Sequence, residues 1–158
     1  MDTRLLRNIL GRFTTGVTIV TCIDTNGESV GLTANSFNAL SLDPPLVLWS
    51  LRSTSTSLAA FRAATHFAIN VLAESQVELS RRFASPLEHK FGEGPWSEGR
   101  WGAPVLAGCA AVFECAAQSM QQAGDHQLFI GRVLAVMESA VAPLVFQSGH
   151  YRLLGEVL

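Results

Sequence analysis

The sequence predicts a mainly β domain, a barrel carrying short helices, and three observations lead there. Seven or so β-branched or alternating segments recur along the chain, each of strand length. The stretches between them hold only short helical patterns, so the long helix that each parallel crossover of a doubly wound α/β fold needs is missing. Finally, a chain of 158 residues with 48% apolar and 15% charged side chains fills one core, which makes residues 1–158 a single domain.

Taken in order, the elements begin at Asp2. It stands before Leu5, Leu6, Ile9, Leu10 and Phe13, an apolar stripe at helical spacing that predicts a short amphipathic N-terminal helix. Val17–Ile23 is β-branched almost throughout, as a strand buried on both faces would be. Asn26-Gly27 is the strongest short hairpin signal, and Glu28–Thr33 is the returning strand. Asp43-Pro44-Pro45 punctuates the chain before a third strand, Leu46–Leu51. Ser55–Ala64 reads as a short helix and His66–Leu72 as an alternating strand. Ser75 and Glu78 have the spacing of a capping box, opening a helix to about Phe83. Residues 85–108 hold five glycines, three prolines and two tryptophans, and are expected to form a long surface loop anchored by Phe91, Trp96 and Trp101. Two long strands follow, Cys109–Met120 and His126–Met137, turning around Gln122-Ala123-Gly124. A last pair, Leu144–Gln147 and Tyr151–Leu154, closes the chain across Ser148-Gly149.

Composition excludes several function classes. Eleven basic against thirteen acidic residues give a formal net charge of −2, so no polycation for nucleic acid is present. No stretch approaches the ~20 consecutive apolar residues of a membrane helix. Met1-Asp2-Thr3-Arg4 lacks the layout of a signal peptide, and a cytoplasmic location without a membrane partner is expected. The three cysteines, Cys22, Cys109 and Cys115, read as small buried hydrophobes, not as a disulfide framework. Cys109 and Cys115 have the same parity and are expected on one face of a strand. No ligand pairs have zinc spacing, so no metal site is expected. The dinucleotide, P-loop and esterase glycine motifs are all absent.

Three segments carry the chemistry that is left. Thr33, Asn35 and Ser36 crowd short polar groups where the chain leaves a strand, and such groups hold a planar polar ring or a phosphate; the same residues would also make an ordinary Asx/Ser turn. Arg52-Ser53-Thr54-Ser55-Thr56-Ser57 leads into a helix. One of its hydroxyls is expected to cap that helix, and the free N–H groups with a flanking Arg suit a phosphate monoester. Gly124-Asp125-His126 places a histidine at a strand start. Asp125 beside it is not expected to make a triad with it, because neighbours on a strand point to opposite faces. No nucleophile–base pair stands out elsewhere, which suits chemistry done by a cofactor that the protein positions.

With these segments in hand, the chain resembles the short-chain flavin reductase family, the reductase components of two-component flavin monooxygenases, from about Leu6 to Leu154. The marks are Leu10-Gly11-Arg12-Phe13-Thr14-Thr15-Gly16-Val17-Thr18-Ile19-Val20-Thr21, Gly31-Leu32-Thr33-Ala34-Asn35-Ser36-Phe37, Ser41-Leu42-Asp43-Pro44-Pro45-Leu46-Val47, and Gly124-Asp125-His126 with Gly131. Each is weak singly; the ordered set is specific.

The resemblance implies a homodimeric, FMN-binding split β-barrel of Greek-key type that passes a hydride from NADH or NADPH to FMN or FAD. Reduced flavin would then serve a separate monooxygenase. By position, Thr33, Ala34, Asn35 and Ser36 would hold the flavin ring and ribityl chain, Ser50 and Leu51 would line it, and Ser55 and Ser57 would take the phosphate. His126 would sit near the nicotinamide and the flavin, with Tyr151 a weaker match on the same side. Lys90 and Phe91 fall where relatives often place a residue beside the flavin. One departure is that Ser53–Ser57 lacks the lysine some relatives carry near the phosphate. Either Arg52 substitutes, or flavin binds loosely enough to be a substrate. The competing readings are a flavin-binding split barrel without NAD(P)H turnover, a structural β-barrel, and a pyridoxamine-phosphate oxidase. The low charge content points to apolar strand faces that meet a second subunit.

Overall fold

The computed structural model describes residues 1–157. Helix α1 (Thr3–Leu10) starts as the sequence predicts: Asp2 Oδ1 accepts from the backbone N–H groups of Arg4 (2.8 Å) and Leu5 (3.4 Å). Its apolar stripe, however, buries nothing. Leu5 is 55%, Ile9 57% and Leu10 63% exposed, and Phe13 beyond it is 75% exposed.

Strand β1 (Thr15–Gly16) precedes the hairpin of β2 (Thr18–Ile23) and β3 (Ser29–Ala34). Asp24 Oδ1 fastens the turn by accepting from the N–H groups of Asn26 (2.8 Å) and Glu28 (2.9 Å). Strand β4 (Asn38–Leu42) was not expected from sequence. It lacks β-branched residues and is mostly exposed, and pairing with β5 (Pro45–Arg52) is what makes it a strand. Helix α2 (Leu58–Ala63) buries Leu58 and Phe61, as its pattern implied. The expected hydroxyl cap is missing, because Ser57 takes the N-cap position without a side-chain cap bond.

After β6 (His66–Val71), a 3₁₀ turn (Glu74–Gln76) leads into α3 (Val77–Ala84). The capping box of Ser75 and Glu78 does not form. The Gln76 side chain instead accepts from the Ala73 N–H at 3.0 Å, and Glu78 pairs with Arg81. The 85–108 stretch is more ordered than a loop, with a 3₁₀ turn (Lys90–Gly92) and a hairpin of β7 (Trp96–Glu98) and β8 (Pro104–Leu106). Two long strands, β9 (Ala111–Ala123) and β10 (His126–Glu138), and the closing pair β11 (Val145–Gln147) and β12 (His150–Arg152) complete the chain.

The main sheet is antiparallel throughout, in the order β3-β2-β6-β9-β10-β5-β4. Its outer strands β3 and β4 are consecutive in sequence, so the sheet must curl until its two edges approach each other. β2 is buried on both faces, as predicted. Val20 and Cys22 enter a core with Trp49, Phe61, Phe67 and Phe129, while Val17 and Ile19 enter a second core with Leu72, Phe83 and Leu106. In the first core Trp49 stacks on Phe129 (4.6 Å between ring centroids) and meets the edge of Phe61 (4.8 Å). Cys115 belongs to the first core and Cys109 to the second, so the two do not share a face; Cys109 lies ahead of β9, where strand parity has not begun. Burial pushes all three thiols up to about 12, which keeps them protonated.

Two glycines are dictated by close approach. A Cβ on Gly131 would lie 2.4 Å from the Phe67 ring, and one on Gly31 would lie 2.8 Å from the ring of Phe83. The second contact brings the end of α3 onto β3 and positions the site.

Candidate functional site

One cavity of about 880 Å³ opens where β3 ends, β5 ends, α3 ends and β10 begins. Ten residues singled out in the sequence line it together: Thr33, Ala34, Asn35, Ser36, Ser50, Leu51, Ser55, Ser57, Lys90 and His126. Its volume falls within the roughly 300–1,000 Å³ of small-molecule sites.

Several of these groups already have partners, which limits what each can offer a ligand. The Thr33 hydroxyl donates to the Ser80 carbonyl at 2.7 Å, tying β3 to α3 and leaving its oxygen lone pairs for the cavity. Ser36 Oγ accepts from the Ser50 N–H and lies 3.0 Å from the Ser50 carbonyl, to which it donates. Asn35 is exposed beside them, with both halves of its amide available to a ring edge.

The hydroxyl run occupies the other side. Ser55 Oγ accepts from the Ser57 N–H at 3.3 Å, while Arg52, Thr54, Thr56 and Ser57 also line the wall. Lys90 reaches the same cavity from the 3₁₀ turn and donates to the Phe83 carbonyl at 3.2 Å. Burial holds its ammonium below the ordinary lysine pKa, the expected effect where a positive charge lacks water or a counter-ion. Two cations, hydroxyls and a polar turn therefore share one cavity with Leu32, Leu51 and Phe83, the last two almost wholly buried. The set fits a planar ring with a phosphate-bearing tail. Lys90, distant in sequence from Ser53–Ser57, supplies a cation in the cavity that the run itself lacks.

His126 completes the lining, and its neighbour corrects the sequence expectation. Asp125 Oδ1 lies 2.7 Å from His126 Nδ1, so the two do pair. Asp125 belongs to the turn before β10, not to the strand, and the alternation of faces does not apply to it. The bond holds the Asp125 carboxyl below its usual range.

Two expected residues lie outside the cavity. Phe91 packs edge-on against Phe83 (5.0 Å) and Trp96 (4.9 Å) and lines a neighbouring cleft. Tyr151 packs on Phe146, and its hydroxyl lies 2.8 Å from Ser80 Oγ. Conversely, the wall formed by Phe83, Ala84, Ser85 and Pro86 was missed in the sequence. Its signal was Gly31, since an isolated glycine inside a strand marks a close approach. Among the described residues no group of three or more His, Cys, Asp or Glu could hold a metal ion, and no helix is long and apolar enough to cross a membrane.

Comparison with known proteins bears on this geometry. Residues 10–155 match the family model described as the flavin reductase like domain. A probable flavin reductase of Rhizobium meliloti (strain 1021) is 45% identical over 95% of this chain and 48% of its own length. The FMN reductase (NADH) SmoA of Agrobacterium fabrum is 44% identical over 95% of this chain and 85% of its own. The solved NADH:FAD oxidoreductase SgcE6 of Streptomyces globisporus, in complex with NAD and FAD fragments, superposes with a TM-score of 0.93 at 36% identity, covering 98% of this chain and 93% of that one. The chain spans about half to two-thirds of the length of several curated relatives it matches. The match across nearly the whole chain, on a mainly β fold shared with solved flavin reductases, shows that the chain belongs to the flavin reductase like domain family.

Proposed function

We propose that this chain is an NAD(P)H-dependent flavin reductase, passing a hydride from NADH or NADPH to FMN or FAD. The observation that carries the reading is the single cavity in which the polar turn 33–36, the hydroxyl run 52–57, Lys90 and His126 converge. Flavin would supply the ring that accepts the hydride; the chain supplies position and polarity. Leu32, Leu51 and Phe83 border the cavity on its apolar side, Leu51 and Phe83 from within the two cores. Ala34, Asn35 and Ser50 edge it with short groups that do not fill the space. Ser55, Ser57, Arg52 and Lys90 offer the hydroxyls and charges that suit a phosphate. His126 lines the same cavity opposite Arg52 and would help hold the dinucleotide that supplies the hydride.

Phe91 and Tyr151 would act at one remove. Phe91 backs the Phe83 ring, and Tyr151 bonds the side chain of Ser80, whose carbonyl receives the Thr33 hydroxyl. The exposed stripe of α1 and the low charge content support a homodimer. A separate flavin-dependent monooxygenase as the user of reduced flavin, and a cytoplasmic location, complete the reading. The relatives' names, among them the reductase subunit HsaB of a flavin-dependent monooxygenase from Rhodococcus jostii, support the partner.

The test is dinucleotide oxidation by the purified chain with and without added FMN or FAD. Flavin-dependent oxidation of NADH or NADPH is expected. A yellow, flavin-retaining protein that oxidises neither would overturn the reading in favour of simple flavin binding.

A further inference from the structure

The Asp125–His126 pair sits on a turn that is fastened from outside. The Ser53 N–H donates to the Asp125 carbonyl at 2.9 Å. The Gln122 amide donates both to Ser53 Oγ (2.9 Å) and to the Gly124 carbonyl (2.8 Å). Across the ladder His126 stands opposite Arg52. The turn is thereby locked to the start of the hydroxyl run, and His126 is held at the same end of the cavity as that run.

A carboxylate only accepts hydrogen bonds, so the 2.7 Å contact requires the proton to be on His126 Nδ1. Asp125 is ionised at neutral pH, since its carboxyl is held below the usual range by that same bond. Of the two ring nitrogens, this leaves Nε2 for the cavity that His126 lines. An unrestrained neutral imidazole favours the other tautomer, which would present an N–H donor there instead.

We propose that Asp125 is a positioning residue: it fixes His126 as the Nδ1–H tautomer, so that Nε2 faces the cavity as an acceptor for an amide N–H, such as that of a nicotinamide carboxamide. The choice of ligand rests on the flavin reductase reading; the tautomer does not. Because Asp125 acts through His126, its loss weakens recognition of the dinucleotide more than the chemical step.

The test uses the full chain with isotope-labelled histidine and long-range proton–nitrogen correlation spectra, in which the His126 signals are identified by their loss in H126N. The spectra are recorded for the wild type, D125N and D125A. The wild type and D125N, whose amide oxygen still accepts, are expected to show Nδ1–H; D125A is expected to move toward Nε2–H. In parallel, KM for the dinucleotide should rise about five- to tenfold in D125A, the loss of one hydrogen bond, with kcat within about twofold and D125N closer to wild type. An Nε2–H signal in the wild type, or an unchanged tautomer in D125A, overturns the proposal. If the wild type oxidises no dinucleotide, the functional reading fails, and the spectra alone still decide the role of Asp125.

Discussion

The side chain of Ser36 does the work of a strand against Ser50. Its hydroxyl accepts from the Ser50 N–H and donates to the Ser50 carbonyl, both at 3.0 Å. The β4–β5 register puts Asn38 opposite Leu48, so Ser36 stands where the next hydrogen-bonded pair would fall. One hydroxyl replaces both backbone bonds there, and it joins the segment after β3 to β5 in the lining of the cavity.

Ser36→Ala is therefore expected to leave two partly buried backbone groups of Ser50 unpaired, at a cost of about 1–3 kcal/mol. Thermal unfolding should register the loss, and amide exchange at Ser50 should accelerate more than at Phe129 on the neighbouring strand. Equal exchange at Ser50 in the two proteins would show that the hydroxyl does not join the edges.

Gly31→Ala and Gly131→Ala should separate binding from stability. Both force a methyl against an aromatic ring, and overpacking of this kind costs about 1–3 kcal/mol. Only Gly31 abuts Phe83, which lines the cavity. Gly31→Ala is expected to weaken FMN binding severalfold, while Gly131→Ala, pressing on Phe67 in the core, lowers the melting temperature with little change in Kd. Flavin fluorescence titration beside calorimetry distinguishes them; equal flavin affinity in the two variants contradicts the assignment of the wall.

Lys90 gives the cavity a pH dependence whose sign follows from its lowered pKa. Between that pKa and the ordinary lysine value near 10.5, the unfolded chain binds more protons than the folded one. Ligand-free stability contributed by this group is therefore penalised below the lowered pKa and recovers as pH rises through the window. Phosphate binding needs the charged form and runs the other way. The affinity advantage of FMN over riboflavin should shrink as pH climbs through the same window, and Lys90→Met should flatten that slope. Titrations of both flavins across alkaline pH check it, and a parallel pH profile in Lys90→Met would remove Lys90 from the phosphate side.

Much of this was legible in the sequence because it was local. The Asn26-Gly27 hairpin, the β-branched run of β2 and the Asp2 cap depend on neighbours a few residues apart, and they appear where the pattern put them. The turn 33–36 and the run 52–57 could be read as polar segments, and both line the cavity. What failed depended on distant partners. β4 is a strand because β5 pairs with it, and the capping box lost to Gln76 once that side chain could reach Ala73. Asp125 was discounted by a strand rule that stops one residue short of it. The Phe83 ring packs against β3, beside the site, only because Gly31 leaves room for it.

The most direct measurement is anaerobic stopped-flow mixing of the FMN-loaded chain with NADH and with NADPH, following loss of the oxidised flavin absorbance. It is made on the wild type and on Ser55→Trp, which places a bulky ring at the hydroxyl-lined end of the cavity. The account predicts rapid bleaching by at least one dinucleotide, saturating with its concentration in the wild type, and its loss in a Ser55→Trp variant that keeps the native circular dichroism. Bleaching no faster than that of free flavin, or equal in the two proteins, would contradict it.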